Sequence, residues 1–254
     1  MAEALHRSVL DVLGTEITAG IKPAGTVLTL ERIQKRFGIS RTVARECMRL
    51  LEQLQLVQSS RRVGIVVLPS DEWAVLDRRV IRWRLAGPGR EAQLRSLVEL
   101  RAAVEPLAAA QAARYASTVE RARLVALAAS LRVAADAGAD GLDLDIEFHT
   151  TLLRASRNEM FAAMTGVVAE VLSGYTPAEP GATESGSTAL GSHEGVARAV
   201  QLGDSRGAEL AMRELLTDLS LAGAALDGQS LDKRALNGHA LDGHAALDGQ
   251  ASSV

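Results

Sequence analysis

Residues 37–51 hold the pattern that most constrains how this chain can fold. Phe37 closes a short amphipathic segment, Gly38 provides a tight turn, and Ser40 is placed to cap a following helix. Apolar residues then recur at helical spacing along one side of that helix. Its outward side is expected to carry Arg41, Thr42, Arg45 and Arg49. Two helices joined by such a turn, with Arg and Thr at the start of the second, indicate a helix that enters the major groove of DNA.

The flanking segments predict that these two helices belong to a winged helix-turn-helix domain over residues 1–68. Apolar residues over 5–17 recur with the period of a helix, and a turn containing Gly and Pro follows them. Further along, two β-branched runs flank the polar turn 59–64, which is typical of a β-hairpin. Three helices and a hairpin are the parts of a winged helix-turn-helix.

The charge of the chain is distributed as DNA binding by the first domain requires. Residues 1–68 carry ten Lys and Arg against six Asp and Glu, whereas the whole chain has a net charge of −3. Phosphate contacts are therefore expected in this domain. The single cysteine, Cys47, excludes an internal disulfide and fits a reducing compartment. With no apolar run of membrane-spanning length and no leader sequence, we expect a cytoplasmic protein without a membrane partner.

The rest of the chain predicts a helical second domain. Aromatic residues make up only 3% of the sequence, so the core consists mainly of Ala, Leu and Val, which favours packed helices over sheets. After a linker at 69–75, residues 76–225 show no strand pattern and predict a bundle of six to seven helices, counting one near 72–86. Helical periodicity is found over 90–116, 118–137, 143–156, 158–175, 190–203 and 205–225. The predicted fold class is mostly α.

Two segments lack the bulky apolar residues that a core needs. Residues 176–189 are rich in Pro, Gly, Ser and Thr, which indicates a loop or crossover connection. Residues 226–254 repeat a short unit containing Leu, Asp or Asn, and Gly. We therefore predict a disordered, low-complexity tail over 226–254.

Four short stretches occur in order within the first domain. They are Gly-Ile-Ser-Arg-Thr at 38–42, Arg-Glu at 45–46, Leu-Leu-Glu at 50–52 and Arg-Arg-Val-Gly at 61–64. Together they resemble the N-terminal domain of the GntR family of bacterial transcription regulators. The resemblance implies that the start of the second helix meets phosphates and base edges, and that the wing approaches the minor groove. The residues expected to contact DNA are Ser40, Arg41, Thr42, Arg45, Arg49, Arg61, Arg62 and Gly64.

A simpler interpretation is that these arginines are solvent-exposed residues on the polar face of a helix and have no binding role. For an isolated run of charges that interpretation would be preferred. Here the turn, the helix cap, the arginines and the wing all follow in order, and this order favours DNA binding.

The helical domain contains residues that are suited to a metal site. Asp145 and His149 are four residues apart, so they project from one face of a helix. A carboxylate and an imidazole at that spacing can share a divalent metal, and His193 in a later helix can join them. The alternative is that Asp145 and His149 form a hydrogen-bonded pair that lines a metal-free pocket.

The order of motifs around these residues extends the resemblance. Asp-x-x-Phe-His at 145–149 is followed by Ala-Ser-Arg-Asn at 155–158 and by the distant His193, and Leu-Arg-Ala-Ala-Val-Glu-Pro stands at 100–106. This order resembles the FCD ligand-binding domain of the FadR subfamily of GntR regulators. The resemblance implies that one Asp and three His hold a metal, and that the metal binds a carboxylate effector.

One of the four implied metal ligands is missing from this chain. Asp145, His149 and His193 match the first three, but Leu215 stands where the fourth His belongs. Glu214 is a poor substitute, because adjacent residues point about 100° apart around a helix. Three ligands for Zn, Ni or Mn would leave open positions that suit a chelating hydroxy-acid.

Arg101 and Asn158 are the residues expected to contact the effector. A guanidinium on a helix of mainly Ala, Leu and Val needs a partner. The resemblance implies that Arg101 clamps the effector carboxylate, whereas the alternative is an ion pair with Glu105 one turn away. Glu105 itself is expected to be structural. Asn158 has the alternative role of capping the following helix.

These patterns predict a ligand-responsive transcription regulator. We expect a homodimer that binds a pseudo-palindromic operator as a repressor and releases it when a small carboxylate binds, although an activator would use the same residues. Residues 73–83 resemble the interdomain helix of FadR-type regulators of sugar-acid catabolism, which implies an effector such as gluconate or galactonate. The alternative is a metal-dependent enzyme that uses Asp145, His149 and His193, but such an enzyme would need a general base near the metal.

Overall fold

The computed structural model describes residues 2–175 and 186–217, with side chains over 9–174 and 193–217. The first domain contains α1 (Ala2–Thr18), β1 (Val27–Leu28), α2 (Leu30–Phe37), α3 (Arg41–Gln53), β2 (Val57–Ser60) and β3 (Gly64–Val67). The second contains α4 (Arg78–Leu85), α5 (Arg90–Tyr115), α6 (Thr118–Asp136), α7 (Leu142–Ala155), α8 (Glu159–Ala163), α9 (Thr165–Tyr175), α10 (Gly186–Leu202) and α11 (205–217). The mostly-α fold class is confirmed. The predicted tail, 226–254, lies outside the described residues.

The predicted helix-turn-helix is confirmed, and local caps define both of its helices. The side chain of Thr29 caps α2. Gly38 ends α2 with a left-handed φ of 63°, a conformation that glycine adopts without strain. Ser40 then begins α3, and its Oγ accepts the backbone N–H of Val43 at 3.3 Å. The turn therefore presents the N-terminal end of α3 at the surface.

The predicted hairpin is confirmed as well, but a third strand joins it. β3 lies between β1 and β2 and pairs antiparallel with both. The register places Leu28 opposite Ile65 and Ser60 opposite Gly64. Strand β1 is only two residues long and pairs with residues far along the chain, so no local pattern predicts it. The resulting sheet holds the wing in place.

Helix α4 takes part in the cores of both domains. Val80 and Trp83 are buried among residues of the first domain, and the indole N–H of Trp83 donates to Asp11 Oδ1 at 3.0 Å. Ile81, which follows Val80 directly, is buried instead against Leu97 and residues of α9. The two domains are therefore joined by packed side chains in addition to the peptide chain.

The remaining helices form the predicted bundle. Helices α5, α6, α7, α10 and α11 share its main core, which includes Leu124, Phe148, Leu152, Val196 and Leu215. The single helix predicted over 158–175 is wrong, because α8 and α9 are separate helices with Met164 between them. No helix in the described part of the chain is long and apolar enough to cross a membrane.

Candidate functional site

The exposed face of α3 carries the arginines that are predicted to contact DNA. The exposed residues at its start and along this face are Ser40, Arg41, Thr42, Arg45 and Arg49. Arg49 forms an ion pair with Glu46, with 2.9 Å between Nη2 and Oε1. Arg41 and Arg45 form no ion pair with any residue that the structure describes. These two guanidinium groups can therefore meet phosphates or base edges without first breaking a salt bridge.

The wing presents its arginines in a tight turn between β2 and β3. Arg61 and Arg62 are exposed, and Arg62 adopts a left-handed φ of 68°. Gly64 has a φ of 117°, and a Cβ at this position would lie 3.2 Å from Val27 Cγ1. The backbone N–H of Ser59 donates to Glu52 Oε1 at 2.8 Å, which ties the wing to the end of α3. The wing and α3 are therefore held next to each other.

The three predicted metal ligands converge in the helical domain. Asp145 and His149 lie on α7 and His193 lies on α10, and one potential ligand atom from each falls within 4.8 Å of the others. Asp145 Oδ1 is 2.9 Å from His193 Nε2 and 3.3 Å from His149 Nε2. Both histidines are buried, whereas the Asp145 side chain remains 23% exposed. Solvent therefore reaches the cluster at Asp145.

A second carboxylate, Glu105 on α5, holds the other side of His149. Glu105 Oε2 lies 2.5 Å from His149 Nδ1, and Glu105 Oε1 lies 2.5 Å from Arg101 Nε. Arg101 Nη2 also lies 3.4 Å from Nδ1 and 3.3 Å from Nε2 of His149. Glu105 and His149 are fully buried and Arg101 nearly so. The sequence spacing indicates only the Arg101–Glu105 pair, because the contact with His149 depends on how α5 packs against α7.

The buried charges of this cluster perturb one another. Burial alone would lower the pKa of His149, but the charge of Glu105 and hydrogen bonds with Asp145 and Glu105 raise it to about 9. Burial would raise the pKa of Glu105, but Arg101 and His149 lower it to about 2. In the same way, His149 and His193 hold the pKa of Asp145 well below its usual range against the effect of burial. His149 and the carboxylates of Glu105 and Asp145 therefore each favour the charged form of the other.

Leu215 and Asn158 each have a clear structural role. Leu215 is fully buried in the bundle core and Glu214 is exposed on α11, and neither belongs to the group of potential ligands found among the described residues. Asn158 Oδ1 accepts the backbone N–H groups of Met160 at 2.9 Å and Phe161 at 3.4 Å, so it caps α8. The capping alternative is thus observed for Asn158, and a contact with the effector stays a prediction.

The donor set fits a divalent metal. Imidazole nitrogens and a carboxylate oxygen are ligands that Zn, Ni and Mn accept, and three protein ligands leave positions for water or an effector. A carboxylate on the far nitrogen of a histidine, as Glu105 is on His149, is the usual way to orient a metal-binding imidazole. The cluster is therefore a candidate metal centre.

Two family models match the chain. The model of the bacterial regulatory proteins of the gntR family matches residues 5–67, and the FCD domain model matches residues 96–218. The chain is a GntR-family transcription regulator. Its FCD domain is an effector-binding domain, and it contains the whole candidate metal centre.

Individual relatives agree with this family. The galactonate operon transcriptional repressor of Escherichia coli (strain K12) is 26% identical over 159 residues, which are 62% of this chain and 69% of that protein. The HTH-type transcriptional regulator Rv0494 of Mycobacterium tuberculosis is 27% identical over 206 residues, or 80% and 82% of the two chains. The solved structure of Lar from Listeria monocytogenes superposes with a TM-score of 0.58 at 15% identity, covering 87% of this chain and 97% of its own, and shows the same fold.

The family decides between the two functions that the sequence left open. Both matching domains and these relatives belong to transcription regulators, so the predicted function class is confirmed and the metal-dependent enzyme has no support. In this regulator the structure brings Asp145, His149 and His193 together and adds Arg101 beside them. The roles of single residues in binding DNA, metal and effector stay predictions.

Proposed function

We propose that this regulator is a homodimeric repressor that leaves its operator when a small hydroxy-carboxylate binds in the FCD domain. The observation that carries the proposal is the cluster in which three candidate metal ligands meet beside a buried guanidinium. A hydroxy-carboxylate offers oxygen atoms for the open positions of a metal and a negative charge for an arginine. The name of the galactonate operon repressor, a relative at 26% identity, favours a sugar acid such as galactonate or gluconate.

Each residue of the cluster has a distinct part in this proposal. Asp145, His149 and His193 would hold a divalent ion, with Zn, Ni and Mn as the candidates. A bound ion would supply a Lewis-acid site for the effector oxygens. Arg101 would pair with the effector carboxylate, since its guanidinium already lies against His149.

The DNA-binding surface is formed by α3 and the wing. Arg41, Arg45, Arg61 and Arg62 are exposed and supply positive charge for phosphates and for base edges. Two such domains in a symmetric dimer would bind the two halves of a pseudo-palindromic operator.

Helix α9 offers a route from the effector site to the DNA-binding domain. On one side Val168 of α9 packs with Leu153 of α7, the helix that carries Asp145 and His149. On the other side Glu170 of α9 binds both Arg78 and Arg82 of α4, at 3.1 and 2.5 Å. Since α4 is also part of the first domain's core, a shift of α9 would move the DNA-binding domain. Effector binding would then favour one dimer geometry over another.

The Glu170→Gln variant is expected to bind DNA and effector but to respond less to the effector. The substitution removes the charge that holds two arginines of α4, whereas it touches neither surface that binds a ligand. Because allosteric coupling typically amounts to about 1–3 kcal/mol, we expect the change in DNA affinity on adding galactonate to shrink by about fivefold or more. Fluorescence anisotropy of a labelled operator duplex, with and without galactonate, measures this ratio.

The control for this variant is Glu159→Gln on α8, where the residue is exposed. This control should respond to galactonate as the wild type does. A Glu170→Gln protein with the full wild-type response would contradict the proposed route.

The proposed function itself is tested by operator release. A duplex selected from a random DNA library with Zn-loaded protein provides the probe. Galactonate or gluconate should weaken binding of this duplex by about 5- to 150-fold in the wild type. Asp145→Asn should bind the duplex with wild-type affinity but should lose both Zn and the response. If neither galactonate nor gluconate changes operator binding by Zn-loaded wild-type protein, the proposed effector class is overturned.

A further inference from the structure

Glu105 contacts both the candidate metal ligand His149 and the candidate effector anchor Arg101. Each of its two oxygens lies 2.5 Å from one of these partners, and Glu105 itself is completely buried. Removing this side chain would release both partners at once. Glu105 therefore does more than pair with the arginine one turn before it.

The contact with His149 decides which nitrogen can bind a metal. With Nδ1 donating its proton to Glu105, the lone pair of a neutral imidazole lies on Nε2. That Nε2 is the atom that lies near Asp145 Oδ1, and His193 Nε2 approaches the same oxygen. Glu105 thus orients the imidazole for the metal, as an outer carboxylate does in many metal sites.

The contact with Arg101 sets the charge that an effector would meet. A divalent ion and Arg101 bring three positive charges to the cluster, while Glu105 and Asp145 bring two negative charges and metal-bound histidines are neutral. One positive charge is left over, which a single carboxylate neutralises. A second carboxylate would add an unbalanced negative charge in a mostly buried site, which is costly.

Two acidic side chains at the surface of α7 and α10 do not alter this balance. Glu147 on α7 pairs with Arg123 at 2.5 Å, and both side chains are about half exposed. Glu194 on α10 pairs with Arg132 at 3.0 Å, again at the surface. Solvent screens both of these pairs from the buried cluster.

We propose that Glu105 is a specificity-determining residue that limits the effector to one carboxylate while it positions His149 and Arg101. This inference rests on the proposed function, because it assumes that metal and effector bind at the cluster. Glu105 is not one of the three candidate metal ligands. Its proposed role predicts that the protein prefers hydroxy acids with one carboxylate over those with two.

Galactonate and galactarate make a matched pair of probes, since they share a carbon skeleton and carry one and two carboxylates. Isothermal titration of Zn-loaded wild-type protein should show tighter binding of galactonate. In Glu105→Gln the cluster gains one positive charge, so the affinity ratio should move toward galactarate by roughly 10- to 100-fold. Zn affinity of the same variant, measured by chelator competition, should fall by about 10- to 100-fold.

Two further variants make the test decisive. Glu147→Gln carries the same substitution at a surface position of α7 and should change neither Zn affinity nor the ratio. Arg101→Gln removes a positive charge, so it should move the ratio in the opposite direction, further toward galactonate, while both probes bind more weakly. If Glu105→Gln does not fold, Arg101→Gln still tests whether the charge of the cluster sets the preference between galactonate and galactarate.

The results separate two kinds of failure. If Zn-loaded wild type binds neither probe, the proposed effector site and this inference both fall. If wild type binds galactonate but Glu105→Gln keeps its ratio, or both charge variants move the ratio the same way, only the role of Glu105 is overturned.

Discussion

Metal-free His149→Ala protein is expected to unfold with a free energy about 3 kcal/mol lower than that of the wild type. His149 is fully buried between Glu105 and Asp145, and it lowers the pKa of both carboxylates. Removing one partner from a buried set of charges costs about 3–5 kcal/mol. Arg101 still pairs with Glu105 in the variant, so the lower end of that range is expected.

Metal should widen the difference between these two proteins. A ligand at a hundredfold excess over its Kd stabilises the folded state by about 2.7 kcal/mol. We expect Zn to stabilise the wild type by this order and to leave His149→Ala unchanged, because the variant lacks one of three ligands. Urea unfolding followed by circular dichroism, with EDTA and then with excess Zn, gives both quantities, and elemental analysis gives the metal content.

The control for His149→Ala is Arg123→Ala, which removes an exposed ion pair with Glu147. Its effect should stay within about 0.5 kcal/mol and should not depend on Zn. A metal-free His149→Ala protein as stable as the wild type would show that the buried charges are not paired as described. Equal Zn stabilisation of both proteins would remove His149 from the metal site.

The double variant Arg41→Ala/Arg45→Ala is expected to lose about 10²- to 10⁴-fold in operator affinity. Each arginine that meets a base edge or phosphate contributes about 1–3 kcal/mol. Neither guanidinium has an ion-pair partner within the described residues, so both are available to DNA. Each lost phosphate contact should also lower the slope of log affinity against log salt by about 0.9. Anisotropy titrations of the operator duplex at several salt concentrations measure both effects.

Comparison with other arginines makes this result specific. Arg49→Ala should have a smaller effect, because Arg49 is already engaged by Glu46. Arg95→Ala, an exposed arginine on α5 in the FCD domain, should leave both affinity and salt slope unchanged. If the double variant and Arg95→Ala bind the operator equally well, α3 does not read this DNA.

The parts of the fold that could be predicted from the sequence are those that depend on local chemistry. Gly38 can adopt the left-handed turn and Ser40 can accept a backbone N–H three residues on, so neighbouring residues alone define the helix-turn-helix. Strand β1 could not be predicted, because two residues form it only by pairing with β3. The break between α8 and α9 at Met164 could not be predicted either, because the nearest glycine, Gly166, lies within α9 and not at the break.

In the candidate site, too, the features that depend on local sequence could be predicted and those that depend on tertiary packing could not. The shared face of Asp145 and His149 follows from helical spacing, and the resemblance to the FCD domain implies His193 as a third ligand. The bridge from Glu105 to His149 could not be predicted, since it depends on the packing of α5 against α7. The sequence indicated an exposed ion pair or an effector clamp for Arg101, and burial beside an imidazole changes the chemistry of that pair.

Because α4 packs in the cores of both domains, it limits how the DNA-binding domain and the effector domain could be exchanged with those of other regulators. Trp83 fits the first domain only because α1 has a glycine at position 14, where a Cβ would lie 2.4 Å from the indole ring. On the opposite side, a Cβ at Gly166 of α9 would lie 2.6 Å from Arg78 of α4. A hybrid that joins this DNA-binding domain to another effector domain would therefore have to inherit α4 together with a small residue at position 14 of α1, and a larger residue at position 166 of α9 would have to displace the Arg78 side chain. A crossover placed in the loop before α4 would separate Trp83 from Gly14, and one placed after α4 would separate Arg78 from Gly166.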